Sequence, residues 1–265
     1  MIVGQEKICN MVRNSTLDTF PRTLMLVGEE GSGKHLICDY ICSHLSLICV
    51  DITEKLSLET IDDIYQKVEP FVYTIKINEV SVKEENLILK FLEEPLKNSF
   101  IILIADTEIG VIPTILNRCR IWHLQHYKKD TLKSFMTTDD MRILDIARTP
   151  GMVLKLCSYP FGDMIDLANK ILDNIHKAAV PNTLTLSKYI AFKDEKDKYD
   201  VDIFMSIMLS AISKRWAEVN DDRLVSAYTT TSDLCRSLRI TGVDKKALFD
   251  RYLIDLSYVM RRESL

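Results

Sequence analysis

The run Phe100 to Ala105, FIILIA, restricts this chain more than any other stretch. Consecutive apolar residues bounded by polar turns cannot alternate between core and water, so they read as a strand covered on both faces. Such strands belong to parallel sheets whose crossover connections lay helices on each side. The flanks agree. Upstream, Leu87, Ile88, Phe91 and Leu92 fall on one helical stripe, stopped by Pro95. Downstream, Pro113 opens a one-turn helix, Asn117-Arg118-Cys119 follows, and a second short strand runs from Arg120 to Leu124.

The rest of the first half extends this α/β pattern. Residues 6–20 read as an amphipathic helix, Thr23 to Val27 as a strand, Lys34 to Leu45 as a helix and Leu47 to Asp51 as a second strand. Residues 57–68 have a capping-box-like start and read as a helix, and Phe71 to Ile77 alternates as a third strand. Residues 125–158 form a small helical segment. From Pro160 the pattern changes to long helices: Phe161 to Ala179, ended near Pro181, then 201–219, 222–239 and Lys245 to Arg262, the last set off by Gly242. Lys193 to Asp200 reads as a solvated, charge-rich loop.

Charge and cysteine content exclude several function classes. The net charge is −4, and Arg13, Arg22, Lys128 and Lys129 form no basic patch with interleaved aromatics, so autonomous nucleic-acid binding is not signalled. The chain has seven cysteines, but its start, MIVGQEK, turns polar too early for a secretory leader, so a cytoplasmic protein with free thiols is expected. No apolar run approaches the length of a membrane span. Cys119 and His123 suggest no convincing nucleophilic arrangement.

Directly after the first strand, Gly28 to His35 reads GEEGSGKH, a P-loop pattern of the form G-x-x-x-x-G-K. The glycines, Gly28, Gly31 and Gly33, let backbone N–H groups converge on a phosphate, the helix that follows adds its dipole, and Lys34 would neutralise phosphate charge. The final position should be a hydroxyl that holds magnesium. It is His35, a poor ligand for a hard, oxygen-seeking ion. Glu29 and Glu30 add negative charge beside the loop. The alternative reading is a vestigial loop kept as a turn.

Asn86, Leu89, Lys90, Leu92, Glu93, Glu94 and Pro95, followed by Ile115, Arg118 and Cys119, resemble a segment of the bacterial sliding-clamp loader family, in its delta-prime and gamma/tau subunits. Asn117 stands where the family usually has Ser. Val3-Gly4-Gln5 is similar to the family's start near the adenine pocket. The resemblance implies an AAA+ P-loop core with a parallel sheet over residues 1–124, a small helical lid over 125–158 and a C-terminal helical collar over 159–265. The final helix, with Ala247, Leu248, Tyr252, Leu253 and Leu256, resembles a collar helix.

Against the family pattern, this chain departs repeatedly from what nucleotide use needs. Beyond His35, the third strand should end in Asp-Glu. One register puts Asn78-Glu79 there; the other puts Ile75 or Lys76 at the Asp position. Asp106 and Thr107 fall where the family keeps a γ-phosphate sensor, and a carboxylate there would repel phosphate. In Thr149-Pro150-Gly151-Met152-Val153-Leu154, Leu154 takes the place of an Arg. Relatives carry a four-cysteine zinc module; here Cys38, Cys42 and Cys49 with His44 lack its paired spacing, so no zinc is expected.

The resemblance therefore implies a delta-prime-like stator with a degenerate nucleotide site. No cofactor is expected, and ATP bound without hydrolysis stays open. The implied partners are the delta and gamma/tau subunits, with the sliding clamp and primed DNA reached through the complex and no membrane. Arg118 is implied as an arginine finger acting in trans. An ATP-hydrolysing gamma/tau-like motor is the alternative; an unrelated P-loop kinase would need an intact magnesium ligand set, and a helicase loader would lack the Glu93-Glu94-Pro95 segment.

Overall fold

Strands β1 (Thr23–Val27), β2 (Ile48–Asp51), β3 (Phe71–Lys76), β4 (Phe100–Ala105) and β5 (Arg120–His123) form one parallel sheet in the order β2-β3-β4-β1-β5. This is a computed structural model, and it describes residues 2–93, 99–177, 184–191, 199–238 and 243–261. Every residue of β4 is buried, because β4 sits between β3 and β1 with helices above and below. Its side chains alternate between two cores. Ile101, Leu103 and Ala105 join Met25, Val27, Tyr73 and Ile75 under Ile61 and Ile64 of α3 (Leu58–Gln66) and Ile88, Phe91 and Leu92 of α4 (Val82–Glu93). Phe100, Ile102 and Ile104 join Leu24, Leu26 and Val72 against Ile8 and Val12 of α1 (Glu6–Arg13) and Ile37 and Ile41 of α2 (Lys34–Leu45). The expected α/β core with a parallel sheet is present.

Local chemistry sets the element ends. Ser57 caps α3 by accepting a hydrogen bond from the Thr60 amide at 3.1 Å. Helix α1 stops at Arg13, well short of the expected residue 20. Thr16 and Thr19 compete for the backbone there: the Thr16 amide donates to the Thr19 hydroxyl at 2.7 Å, and the Phe20 amide donates to the Thr16 carbonyl at 2.8 Å. This turn drops Phe20 edge-on against Phe100 and Trp122, at centroid distances of 5.5 and 5.7 Å. Pro95, expected to stop α4, and Glu94 lie outside the described residues.

The chain divides into two compact units, residues 1–135 with 148–153, and residues 136–147 with 154–265. Besides the sheet and its helices, the first holds α5 (Pro113–Leu116), α6 (Lys129–Lys133) and the first turn of α7 (Pro150–Cys157). The second is built mainly from α8 (Phe161–Asn174), α9 (Val201–Val219), α10 (Asp222–Leu238) and α11 (Lys245–Arg261). Helix α8 ends at Asn174, earlier than the expected Ala179; Pro181, Gly242 and Arg262 lie outside the described residues. A feature absent from the sequence reading is a short parallel ladder between β6 (Ile190–Ala191) and β7 (Tyr199–Asp200), too brief to show alternation. Asp200 ends β7 and caps α9, accepting from the Ile203 amide at 3.0 Å.

In the second unit Phe204, Phe249, Leu253 and Leu256 are fully buried, and Tyr252 brings a hydroxyl among them. That hydroxyl meets the buried Thr231 side chain at 3.1 Å, while the Thr231 hydroxyl donates to the Ala227 carbonyl at 2.7 Å. Thr231 has spent its proton on Ala227, so Tyr252 is the donor between them. Tyr252→Phe should therefore cost about 0.5–1.5 kcal/mol, one net hydrogen bond. Thr231→Val strands the Tyr252 hydroxyl and should cost more, about 1–3 kcal/mol. Urea unfolding of both variants measures the order, and equal losses would contradict the donor assignment.

Candidate functional site

The P-loop follows the carboxyl end of β1, where parallel sheets gather their ligand-binding loops. The Gly28 amide ties the loop to the end of β4 by donating to the Ala105 carbonyl at 3.1 Å. Gly31 and Gly33 have φ of 74° and 92°, which an L side chain rarely adopts. The loop then enters α2, and the helix places Lys34 inward and His35 outward.

Each carbonyl of this loop from residue 28 to residue 32 accepts a hydrogen bond. Lys34 Nζ donates to Gly28 O and to Glu29 O, the latter at 3.1 Å. Thr149 Oγ1 donates to Glu30 O at 2.8 Å, the Gly151 amide to Gly31 O at 2.9 Å, and the Tyr127 hydroxyl to Ser32 O at 2.7 Å. Thr149 is also the cap of α7, its hydroxyl and carbonyl accepting from the Met152 and Val153 amides. The start of the chain is fastened nearby: the buried Gln5 side chain bonds the Gln125 backbone in both directions, at 2.9 and 2.7 Å.

Lys34 is 7% exposed, and its third donor goes to Asp106 Oδ1 at 2.6 Å. An ammonium has three N–H groups, and all three are used within the chain. Asp106 is itself held by Asn78, whose Oδ1 accepts from the Asp106 amide at 2.9 Å. Asn78 faces the site, Ile75 is buried in the core, and Lys76 pairs with Glu79 at 3.3 Å.

This donor set does not fit a magnesium nucleotide. The metal positions hold an imidazole and an amide, and a carboxylate neutralises the lysine that would meet the phosphates. Among the described residues, no group of three or more His, Cys, Asp or Glu side chains could hold a metal ion. His44 has its Nε2 on the Ser15 carbonyl at 3.0 Å. Leu154 is about half exposed.

Arg118 is not brought to this loop. Thr23 starts β1, and its hydroxyl donates to the Arg118 carbonyl at 2.6 Å, so Arg118 lies at the amino end of the sheet. The P-loop follows the other end of β1, about 13 Å away at the rise of an extended strand. The Arg118 guanidinium donates to Glu93 at 2.8 Å and to the Thr114 carbonyl at 3.0 Å, and the side chain stays 36% exposed. Cys119 is half-buried against the core, and burial pushes its thiol up to about 12, far from a nucleophile's range. His123 pairs with Glu108 instead.

Tyr127, Thr149 and Gln5 are the site residues that sequence reasoning did not assign. Gln5 belongs to Val3-Gly4-Gln5 and Thr149 opens the stretch Thr149–Leu154, both singled out in the sequence, whereas Tyr127 belongs to neither. The contact between Gly31 and Gly151 is backbone on backbone. A Cβ on Gly151 would lie 2.5 Å from Gly31 Cα, and one on Gly31 would lie 2.8 Å from Gly151 Cα. Gly151→Ala should therefore push the two segments apart and destabilise the chain by about 1–3 kcal/mol, as overpacking does. Chemical denaturation tests this, and an unchanged midpoint would show that the contact is dispensable.

Among curated proteins none matches this sequence. Solved structures with a similar chain path include a DNA polymerase III gamma subunit-related protein from Thermotoga maritima, at 14% identity over 97% of this chain and 100% of that one, with a TM-score of 0.49. The RuvB Holliday junction branch migration motor of Thermotoga maritima is similar at 17% identity over 77% of this chain and 68% of that one, with a TM-score of 0.46. A family model described as "DNA polymerase III, delta subunit" matches residues 71–128. That segment holds β3 to β5 together with Glu93, Arg118 and Cys119, so the match supports the clamp-loader resemblance without separating one subunit type from another.

Proposed function

We propose that this chain is a delta-prime-like subunit of the DNA polymerase III clamp loader, a stator that carries a degenerate nucleotide site. The observation that carries the reading is the state of Lys34, whose ammonium is satisfied by Gly28, Glu29 and Asp106 of its own chain. A gamma/tau-like motor would need that ammonium for phosphate, a hydroxyl at position 35 and a carboxylate at position 78. The partners in this reading are the delta and gamma/tau subunits, and the sliding clamp and primed DNA are reached through the complex. The protein acts in the cytoplasm. Among the described residues, no helix is long and apolar enough to cross a membrane.

Arg118 is the residue proposed to serve chemistry, in trans. A guanidinium stays charged and offers a planar fork of donors that matches phosphate oxygens. Its place at the opposite end of β1 from Lys34 supports a target outside its own chain. Pro113 at the start of α5 and the pairing of β5 with β1 fix its backbone. The second unit offers apolar surface for assembly: Trp216, Val219, Val225, Tyr228 and Tyr258 are all exposed. These residues support a role for the collar in holding partner subunits.

Two experiments test the reading. The isolated chain should show no steady-state ATP hydrolysis above background; an enzyme-range rate that disappears in Lys34→Ala would overturn the stator assignment. In a reconstituted loader, Arg118→Ala should leave assembly intact and lower clamp- and DNA-stimulated ATPase. Arginine fingers contribute about 10³–10⁵ in rate where hydrolysis depends on them alone, and the loader's other sites would dilute that effect. Unchanged ATPase in an intact complex would make Arg118 an ordinary surface residue.

A further inference from the structure

The second unit contains a cavity of about 580 Å³ to which the proposed function gives no role, and every residue lining it belongs to that unit. Small-molecule sites run from roughly 300 to 1,000 Å³. The apolar part of the wall is Ile146, Ile165 on α8, Ile207 and Ala211 on α9, Leu224 on α10 and Met260 on α11. Spacing on α9 explains the opening. Ile207, Ser210, Ala211 and Lys214 follow one another at helical spacing and so share a face. Two of the four are small, and a Leu or Phe in their place would fill the space.

The polar groups on this wall are mostly donors. Three cations line it, Arg142, Lys214 and Arg215, and the carboxylates that pair with them do not. Arg215 is spent: it donates to Asp173 at 2.6 Å and to the Asn169 carbonyl and side chain at 3.2 and 3.3 Å. Arg142 gives its Nε and Nη2 to Asp140, which leaves Nη1. Lys214 gives one N–H to Asp145 at 2.9 Å and keeps two. Ser206 returns its hydroxyl to the Asp202 carbonyl at 3.0 Å, whereas Ser210, one turn later, has no partner among the described residues. Two carboxylates also line the cavity. Asp221 is neutralised by Arg223 at 2.6 Å, and Glu218 is exposed, where water and salt screen it. The spare donors lie together. Ser210 and Lys214 are one turn apart on the same face of α9, and Asp145, which holds Lys214, follows Arg142 in the same short helical turn.

We propose that this cavity binds a small amphiphilic carboxylate, an aliphatic chain with one anionic head. The chain lies on the isoleucines, Ala211, Leu224 and Met260, and is taken out of water there. The head accepts hydrogen bonds from the Ser210 hydroxyl and the Lys214 ammonium, with Nη1 of Arg142 adding positive charge at the same rim. Charge sets the selectivity. An alcohol of the same length loses the charge-assisted bonds, and an amine meets like charge. Neither the P-loop nor Arg118 takes part, so the site does not rest on the stator reading.

The test titrates the full chain with hexanoate, hexanol and hexylammonium and follows the backbone amide NMR spectrum. Hexanoate should bind with a millimolar Kd, as so small a ligand must, and should shift the amides of Ile146, Ser210 and Ala211. Hexanol and hexylammonium should bind about fivefold more weakly or not at all. Lys214→Gln should weaken hexanoate about three- to fivefold, the effect of one partly exposed charge, and leave hexanol unchanged. Ala211→Trp fills the cavity and should abolish binding. If that variant fails to fold, Lys214→Gln and the three probes on the wild-type chain still decide. Absence of hexanoate-dependent shifts at these amides, equal affinity for hexanol or hexylammonium, or wild-type hexanoate affinity in folded Lys214→Gln or Ala211→Trp would overturn the proposal.

Discussion

Strand β4 has to bury both of its faces, and most of the first unit follows from that requirement. A strand buried on both faces needs neighbours on each edge and helices on each side, which β3, β1 and the flanking helices supply. Parallel neighbours put every strand's carboxyl end on one edge, so the loops after β1, β3 and β4 converge there. Lys34, Asn78 and Asp106 come from three stretches far apart in sequence and meet because those three loops leave the same edge. The amino ends of the strands gather on the opposite edge, and Arg118 sits there. One sheet therefore separates the degenerate loop from the proposed finger by the length of a strand.

At the carboxyl edge the decisive quantity is the bonding of one ammonium. Leaving the Lys34 charge unpaired at 7% exposure would be costly, so the chain supplies two carbonyls and a carboxylate. Asp106 can hold that place because its other neighbour, Asn78, is neutral; a second carboxylate at position 78 would add like-charge repulsion beside it. The two departures from the nucleotide-using pattern thus suit each other. The loop carbonyls bonded by Tyr127, Thr149 and Gly151 belong to the same logic: the loop acts as a joint that fastens residues 127 and 149–151 to the sheet.

What the sequence made legible depended on whether the signal was local. The β4 run, the stripe of α4, the Pro113 helix start and the glycines of the P-loop all announce themselves within a few residues, and each occupies its expected place. Helix α1 misled because Leu17 and Phe20 continue an apolar spacing, while the Thr16 and Thr19 hydroxyls that end the helix matter only through their bonds to the backbone. Long-range partners were out of reach. Asp106 reads in sequence as an obstacle to phosphate, but its bond to Lys34 spans 72 positions, and those of Tyr127 and Thr149 to the loop span more. Whether Asn78, or Ile75 or Lys76, stands at the Asp position is left open by the sequence, because a strand's last residue cannot be located from alternation alone.

The Glu93 contact bears on how Arg118 could act at a subunit boundary. Both partners are substantially exposed, so the pair gains little from being formed: exposed ion pairs contribute roughly 0.2–1 kcal/mol. A phosphate in a neighbouring site carries more charge than one carboxylate and can accept both prongs of the guanidinium fork. Releasing Glu93 would thus cost less than binding phosphate returns. Meanwhile the bond the guanidinium donates to the Thr114 carbonyl and the anchoring of the Arg118 backbone by Thr23 do not depend on Glu93. The backbone that carries the guanidinium is held by the sheet, and only the side chain has to move. Glu93 then restrains the guanidinium without fixing it, which is the behaviour the proposed role in trans requires.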